Sequence, residues 1–311
     1  MIRQCPAPLF RDPVYDGPAD PSIIWNPHEK AWWIIYTSRR AGAPGHGVSW
    51  VHGTDLGVCS SGDNGRTWLY RGTLSLEPAE PGRNTFWAPE ALWHGDVCHM
   101  YVSYITGVPA DWDCGRRILH YTSVDLWDWR LEGALPLPGG RAIDACVYPL
   151  PQGGFRMWYK EETDGSFTHF ADSPDLYAWE HGGRATWDCA QEGPNVFELG
   201  GWYWLVADRW EGMAVYRGRS PDAWEQQDGD ILAGPGARPE DGGHGHHGDV
   251  LVTGNGAYIF YFTHPGAGKP GMEAGSPAAR RSSLQAAMLA VLDGKLEVVR
   301  DEPFDFFLPA P

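Results

Sequence analysis

The stretch "QEGPNVFELGGWYWLVAD", residues 191–208, opens with a carboxylate, Glu192, against a Gly-Pro turn. A short apolar run follows, then a Gly-Gly turn, then a run of aromatic and β-branched residues. Two short strands joined by a tight turn read as a β-hairpin. The same grammar recurs in "ADPSIIWNPHEKAWWIIYTS" from Ala19, "APEALWHGDVCHMYVSYI" from Ala88, "IDACVYPLPQGGFRMWYKE" from Ile143 and "HHGDVLVTGNGAYIFYFTH" from His246. Each unit starts with a polar or charged residue: Asp20, Glu90, Asp144, Glu192 and His247. Repeats of this length hold four short strands each, and strand-rich repeats of this period predict a β-propeller. The chain is therefore expected to be all-β, one domain over residues 1–311. It should have five four-stranded antiparallel blades starting near 20, 88, 143, 191 and 246, with the segment 282–311 closing the ring. The one helical candidate is "SPAARRSSLQAAMLAVL". Its second half reads as a strand, because "DGK" at 293–295 supplies a hairpin turn.

A second piece recurs between the hairpins. "SSGDNGRTW" ends at Trp68, "TSVDLWDW" at Trp129, "DSPDLYAW" at Trp179 and "RSPDAW" at Trp224. The first carries the S-x-D-x-G-x-T-W pattern called an Asp-box. In it the Asp caps a turn by accepting backbone amides and the Trp packs between strands. These are signals of fold, with no chemistry assigned.

Composition narrows the function. The chain has 311 residues, a net charge of −16 and 17 Trp. Such a surface repels phosphate backbones, which disfavours nucleic acids and anionic membranes as partners. Trp suits both a core and stacking on the apolar face of a sugar ring. No run reaches the roughly 18 apolar residues needed to cross a bilayer. The N-terminal "MIRQCPAPLF" lacks a secretory h-region, and the six dispersed Cys form no CxxC pair. Reduced thiols and a cytoplasmic location are the expectation.

In a propeller the innermost strand of every blade starts near the central axis. Equivalent positions from distant sequence then ring one mouth. A lone Asp or Glu before Pro or Gly is ordinarily a solvated turn residue. Asp20, Asp144 and Glu192 at matching positions argue for more. Glycoside hydrolysis needs one carboxyl to protonate the leaving oxygen and another to activate water or attack carbon. Neighbouring carboxylates push their pKa values apart, which separates acid from base.

"ADPSIIW", "AIDACVY" and "QEGPNVF" resemble the three acidic motifs of glycoside hydrolase family 43 and its five-bladed relatives, families 32, 62, 68 and 117. "FWAPEALW" is similar to that family's second-blade segment. The resemblance covers about residues 12–265. It implies Asp20 as general base, Glu192 as general acid, and Asp144 as the group that orients Glu192 and raises its pKa. Glu192 is then expected to titrate above an ordinary Glu. The resemblance further implies inversion at the anomeric carbon and exo-cleavage of arabinofuranose, xylose or a galactose derivative from short oligosaccharides. No cofactor is required by it, while a calcium ion near the axis is compatible with it. The alternatives are a family 117-like anhydrogalactosidase with His247 as acid, and a sugar-binding propeller without catalysis.

The remaining candidates surround the same mouth. Trp87 and Glu90 in blade two, His247 in the turn "GGHGHHGDV", and Trp50 and His52 in the inserted loop "GHGVSWVHGTDLG" (45–57) are candidate substrate contacts. His247 is also a candidate metal ligand. For Trp50 the alternative is core packing. Arg39, Arg40, Arg116 and Arg117 stand ready to pair with acids or meet an acidic substrate.

Overall fold

The computed structural model describes residues 2–311, and those residues form five four-stranded antiparallel sheets around one axis. Blade one holds β1 (Pro18–Asn26), β2 (Ala31–Ser38), β3 (Leu56–Ser61) and β4 (Leu69–Thr73). Blade two holds β5 (Thr85–His94), β6 (Val97–Ile105), β7 (Arg117–Ser123) and β8 (Arg130–Ala134). Blade three holds β9 (Ala142–Pro149), β10 (Phe155–Glu161), β11 (Phe167–Ser173) and β12 (Glu180–Arg184). Blade four holds β13 (Glu192–Leu199), β14 (Trp202–Asp208), β15 (Met213–Gly218) and β16 (Glu225–Gln226). Blade five holds β17 (His246–Thr253), β18 (Gly256–Thr263), β19 (Ser283–Leu292) and β20 (Lys295–Val299). Ser283–Leu292 is a strand, as the "DGK" turn implies, and within that candidate segment only Pro277–Arg280 before it is helical. Among the described residues no helix is long and apolar enough to cross a membrane. All six cysteines are free.

The core is divided as the ring is divided. Five apolar clusters fill the five gaps between neighbouring blades. Ile24, Trp33 and Met100 seal blades one and two, and Tyr101, Met157 and Tyr159 seal two and three. Cys146, Trp158 and Leu205 seal three and four, and Phe197, Trp204 and Ile259 seal four and five. Trp33, Trp158 and Trp204 sit at like places on the second strands and are fully buried. A buried Trp removes some 150–250 Å² from water, worth about 5 kcal/mol of transfer free energy. The fifth gap, between blades five and one, is where both chain ends lie. Phe10 bridges to Leu284, while Phe304, Phe306 and Leu308 pack beside Trp32 and Phe260. The Leu308 carbonyl accepts from Trp32 Nε1 and Asn64 Nδ2. Within the segment 282–311, residues 283–299 thus complete blade five, and the tail after them packs against blade one.

The Asp-box forms as its sequence requires. Asp63 accepts the Thr67 amide and hydroxyl, and Trp68 Nε1 donates to the Gly65 carbonyl. The altered copies keep the device: Asp125 and Asp175 each accept two backbone amides, and Trp129 and Trp179 each donate to the carbonyl three residues back.

At the axis, the innermost strands are stitched by a closed ring of side-chain acceptors. Ser22 Oγ accepts Ala91 N–H (3.2 Å), and Glu90 Oε1 accepts Val147 N–H (2.8 Å). Cys146 Sγ accepts Val196 N–H (3.2 Å), and Asn195 Oδ1 accepts Val250 N–H (3.2 Å). Asp249 Oδ2 accepts Ile23 N–H (2.7 Å) and completes the circle. The inner edge of an innermost strand has no strand partner, so its amides need acceptors. One side chain per blade supplies them.

Candidate active site

Each innermost strand carries a β-bulge at its start, and there the backbone turns left-handed: Asp20 (φ 49°), Ala88 (42°), Asp144 (60°), Gly193 (52°) and His247 (35°). For a residue with a Cβ this costs roughly 1 kcal/mol or more. Acceptors hold several bulges in place. Ala88 N–H donates to Thr37 Oγ1 (2.8 Å), Asp144 N–H to Ser103 Oγ (2.8 Å) and His247 N–H to Asp208 Oδ2 (3.2 Å). Gly193 N–H donates to the Asp144 carboxylate (3.2 Å). A Cβ on Gly193 would lie 2.7 Å from the His247 ring, so only glycine fits there. In blade four the functional side chain is therefore that of Glu192, one residue earlier.

These bulges open into a pocket of about 440 Å³, lined by Asp20, Asp144, Glu192 and His247. Ligand sites are commonly of this size. Its walls carry Arg39, Lys160 and Glu162, with Trp87, Trp112 and Trp210 as aromatic surface. Trp87 is buried, whereas Trp112 is 54% and Trp210 43% exposed, leaving faces free for stacking.

The charges are matched in pairs. Arg39 Nη2 lies 2.9 Å from Asp20 Oδ1, and His247 Nδ1 lies 3.6 Å from the same oxygen. Lys160 Nζ lies 2.9 Å from Glu192 Oε2 and 3.2 Å from Glu162 Oε1. Arg116 pairs with Glu162, and Arg141 at the rim pairs with Asp113. The three central carboxyls are consequently unequal. Burial pushes Asp20 up, but Arg39 and His247 outweigh it and hold the group below the usual carboxylate range. Burial, with Glu192 and Asp20 adding repulsion, pushes Asp144 up to about 6, against the pull of His247 and Lys160. Burial also acts on Glu192, yet the charge and hydrogen bond of Lys160 prevail and lower it. The expectation of a raised Glu192 is thus corrected. The ammonium of Lys160 claims Glu192, and the raised carboxyl is Asp144.

Four further expectations change position. Glu90 is not at the mouth. The bulge of blade two falls at Ala88, and Glu90 lies two residues further along β5, in the axial ring beside Asp249. Burial and Asp249 hold its carboxyl well above the ordinary range. His52 is buried behind Trp87, ring centroids 4.8 Å apart, and does not line the pocket. Trp50 packs on His264 and under Arg280, so the packing alternative is the observed one. Among the described residues no group of three or more His, Cys, Asp or Glu could hold a metal ion. The donors near His247 are already engaged: Asp20 with Arg39, and Asp249 with Ile23 N–H and Asn195. Calcium takes 6–8 oxygen ligands, and this donor set does not fit it, nor His247 as its ligand.

Lys160, Glu162, Trp112 and Trp210 escaped the sequence reading. For Lys160 and Glu162 a signal existed, since the aromatic-rich run "FRMWY" of β10 is followed by the charged triplet "KEE".

No family model and no curated protein matches the chain. Solved structures do. A thermostable family-43 glycoside hydrolase superposes with a TM-score of 0.69 at 19% identity, covering 97% of this chain and 99% of that one. A family-43 beta-xylosidase/alpha-arabinofuranosidase from a compost microbial metagenome, in complex with xylotriose and calcium-free, gives 0.68 at 16% identity over 96% and 98%. An alpha-L-arabinofuranosidase from Lactobacillus brevis gives 0.66 at 14% identity over 96% and 98%. The fold defines the class: this is a five-bladed β-propeller. More particularly, it is a propeller fold shared with these family-43 glycoside hydrolases.

Proposed function

We propose that the protein is a glycoside hydrolase acting on oligosaccharides, removing a non-reducing-end sugar with inversion. The observation that carries this reading is the meeting of Asp20, Asp144 and Glu192 in one aromatic-walled pocket, each with a different charge environment. Asp20, kept ionised by Arg39, takes a proton from the attacking water. Glu192 protonates the departing oxygen. Asp144, whose carboxylate holds the Gly193 amide, fixes the turn that aims Glu192. An inverting pair needs room for water between base and acid. The two residues belong to β1 and β13, strands of different blades, which supports that division of labour.

The substrate class follows from charge and shape. Every cation of the pocket has a carboxylate partner, so none is left over for a substrate anion. A neutral xylose, arabinofuranose or galactose-type residue suits such a site better than a uronic acid. A confined pocket of about 440 Å³ favours exo-action. A histidine acid is the second reading, favoured by the His247–Asp20 contact. A panel of nitrophenyl glycosides of these sugars tests the proposal. Release of nitrophenol, abolished in Asp20→Asn, supports it, as does loss of turnover in Glu192→Gln on the corresponding alkyl glycoside. Turnover of the alkyl glycoside lost in His247→Ala but kept in Glu192→Gln transfers the acid to His247. Tight binding with no product over the panel makes the propeller a lectin-like binder.

A further inference from the structure

Lys160 is buried, its side chain 6% exposed, at the end of β10, and its ammonium lies over Trp210 (5.4 Å to the ring centroid). A buried ammonium needs compensating charge. It has two carboxylates, Glu192 and Glu162. Glu162 is also gripped by Arg116, whose Nη2 donates to the Trp112 carbonyl. A chain of ion pairs, Arg116–Glu162–Lys160–Glu192, thus runs from the wall of blade two to the carboxyl assigned as acid. Other charged groups also face Glu192. Asp144 comes from β9, Asp20 from β1 and His247 from β17. Asp208, its cross-strand neighbour on β14, is tied to His246. Of all these, only Lys160 bonds the Glu192 carboxylate directly among the described residues.

We propose that Lys160 is a positioning residue that orients Glu192 and sets the pH at which it can act as an acid. The inference rests on the assignment of Glu192 above. With the ammonium in place, Glu192 stays anionic until the medium is acidic, which confines turnover of poor leaving groups to low pH. Its neighbour Glu162 works in the opposite sense. By drawing Lys160 and Arg116 to itself, it limits how far Glu192 is depressed.

The test is the pH profile of kcat/KM on an alkyl glycoside that the protein cleaves, a poor leaving group that needs the acid, for the wild type, Lys160→Met, Lys160→Arg and Glu162→Gln. Lys160→Met should move the alkaline limb up by at least one pH unit. Lys160→Arg should leave it near the wild-type position, and Glu162→Gln should move it down. A lower rate with an unmoved limb in Lys160→Met, or a limb moved the same way in Lys160→Met and Glu162→Gln, overturns the proposal. A second readout does not need activity: the ¹³C titration of the Glu192 carboxyl carbon, identified by its loss in Glu192→Gln. Its midpoint should rise by at least one pH unit in Lys160→Met and fall in Glu162→Gln, and an unchanged midpoint overturns the proposal even if no glycoside is cleaved. Absence of turnover by the wild type, with the titration shift present, would refute the hydrolase reading while leaving the Lys160–Glu192 coupling intact. Should Lys160→Met not fold, Glu162→Gln alone decides by the sign of its shift.

Discussion

Arg39 Nη2 lies 2.9 Å from Oδ1 and 3.2 Å from Oδ2 of Asp20, one guanidinium nitrogen spanning both oxygens of a buried carboxylate. The guanidinium in turn lies over Phe262, 4.7 Å from the ring centroid, so its position is held from behind. This contact keeps the proposed base ionised. Removing Asp20 altogether, as Asp20→Asn, should cost about 10²–10⁴ in kcat, the usual worth of a general base. Arg39→Met should cost less and should move the acidic limb of kcat/KM to higher pH, because the Asp20 anion loses its partner. Steady-state rates from pH 4 to 9 check both.

Glu192 should matter in proportion to how badly the leaving group needs a proton. Glu192→Gln is expected to lose about 10²–10⁴ on an alkyl glycoside and far less on a glycosyl fluoride, whose departure needs no acid. Comparing the two substrates with one variant measures this. An equal loss on both would assign Glu192 to binding instead.

Asp144 carries a stability signature. Its folded carboxyl, pushed up to about 6, holds a proton more tightly than the unfolded chain does at its ordinary 3.8. Stability from this group is full below that ordinary value and is lost as pH rises through about 6. Asp144→Asn has no such charge to bury. Asparagine also tolerates the left-handed backbone and can still accept the Gly193 amide. The variant should be more stable than the wild type at pH 8, by up to about 3 kcal/mol, and indistinguishable at pH 3.5. Thermal melts at the two pH values decide it, and the same variant should be catalytically impaired.

Glu90 provides the contrast between ring and pocket. Glu90→Gln keeps an acceptor for the Val147 amide while removing a carboxyl whose pKa burial and Asp249 push well up. Activity should stay within about threefold, with stability at pH 8 equal or higher. Asp249→Ala strips an acceptor from both Ile23 N–H and Asn195, and a buried polar group left unpaired costs about 1–3 kcal/mol. Chemical denaturation of the two variants reads the difference.

Trp112 and Trp210 are half-exposed at the pocket. Aromatic faces there suit the apolar side of a sugar ring. Trp112→Ala should raise KM about tenfold with kcat little changed on an oligosaccharide, and should do less on a nitrophenyl monosaccharide. Initial rates over a range of substrate concentrations measure it.

The five-fold repeat was readable because each blade restates one pattern, a turn residue followed by two apolar strands. Asp20 and Asp144 were readable for the same reason, since each stands at the bulge itself. Glu192 was readable because Gly193 and Pro194 mark the bulge after it. Glu90 was assigned to the mouth because "APE" imitates "ADP". Only the register with β6, which slips between Trp87 and Pro89, shows that the bulge falls at Ala88. His52 and Trp50 sit in a loop with no repeat to calibrate it, and their rings point into packing. Lys160 and Glu162 come from the far end of a second strand, where the repeat carries no fixed residue. Their electrostatic command over Glu192 depends on distances between blades that no spacing along the chain encodes.

The account turns on Asp20 activating water from across the sugar while Glu192 serves the departing oxygen. Proton NMR of the sugar released in the first minutes of turnover, before mutarotation, tests this most directly. The account predicts that the first anomer seen has the configuration opposite to the substrate's. A first-formed anomer that keeps the substrate's configuration would contradict it.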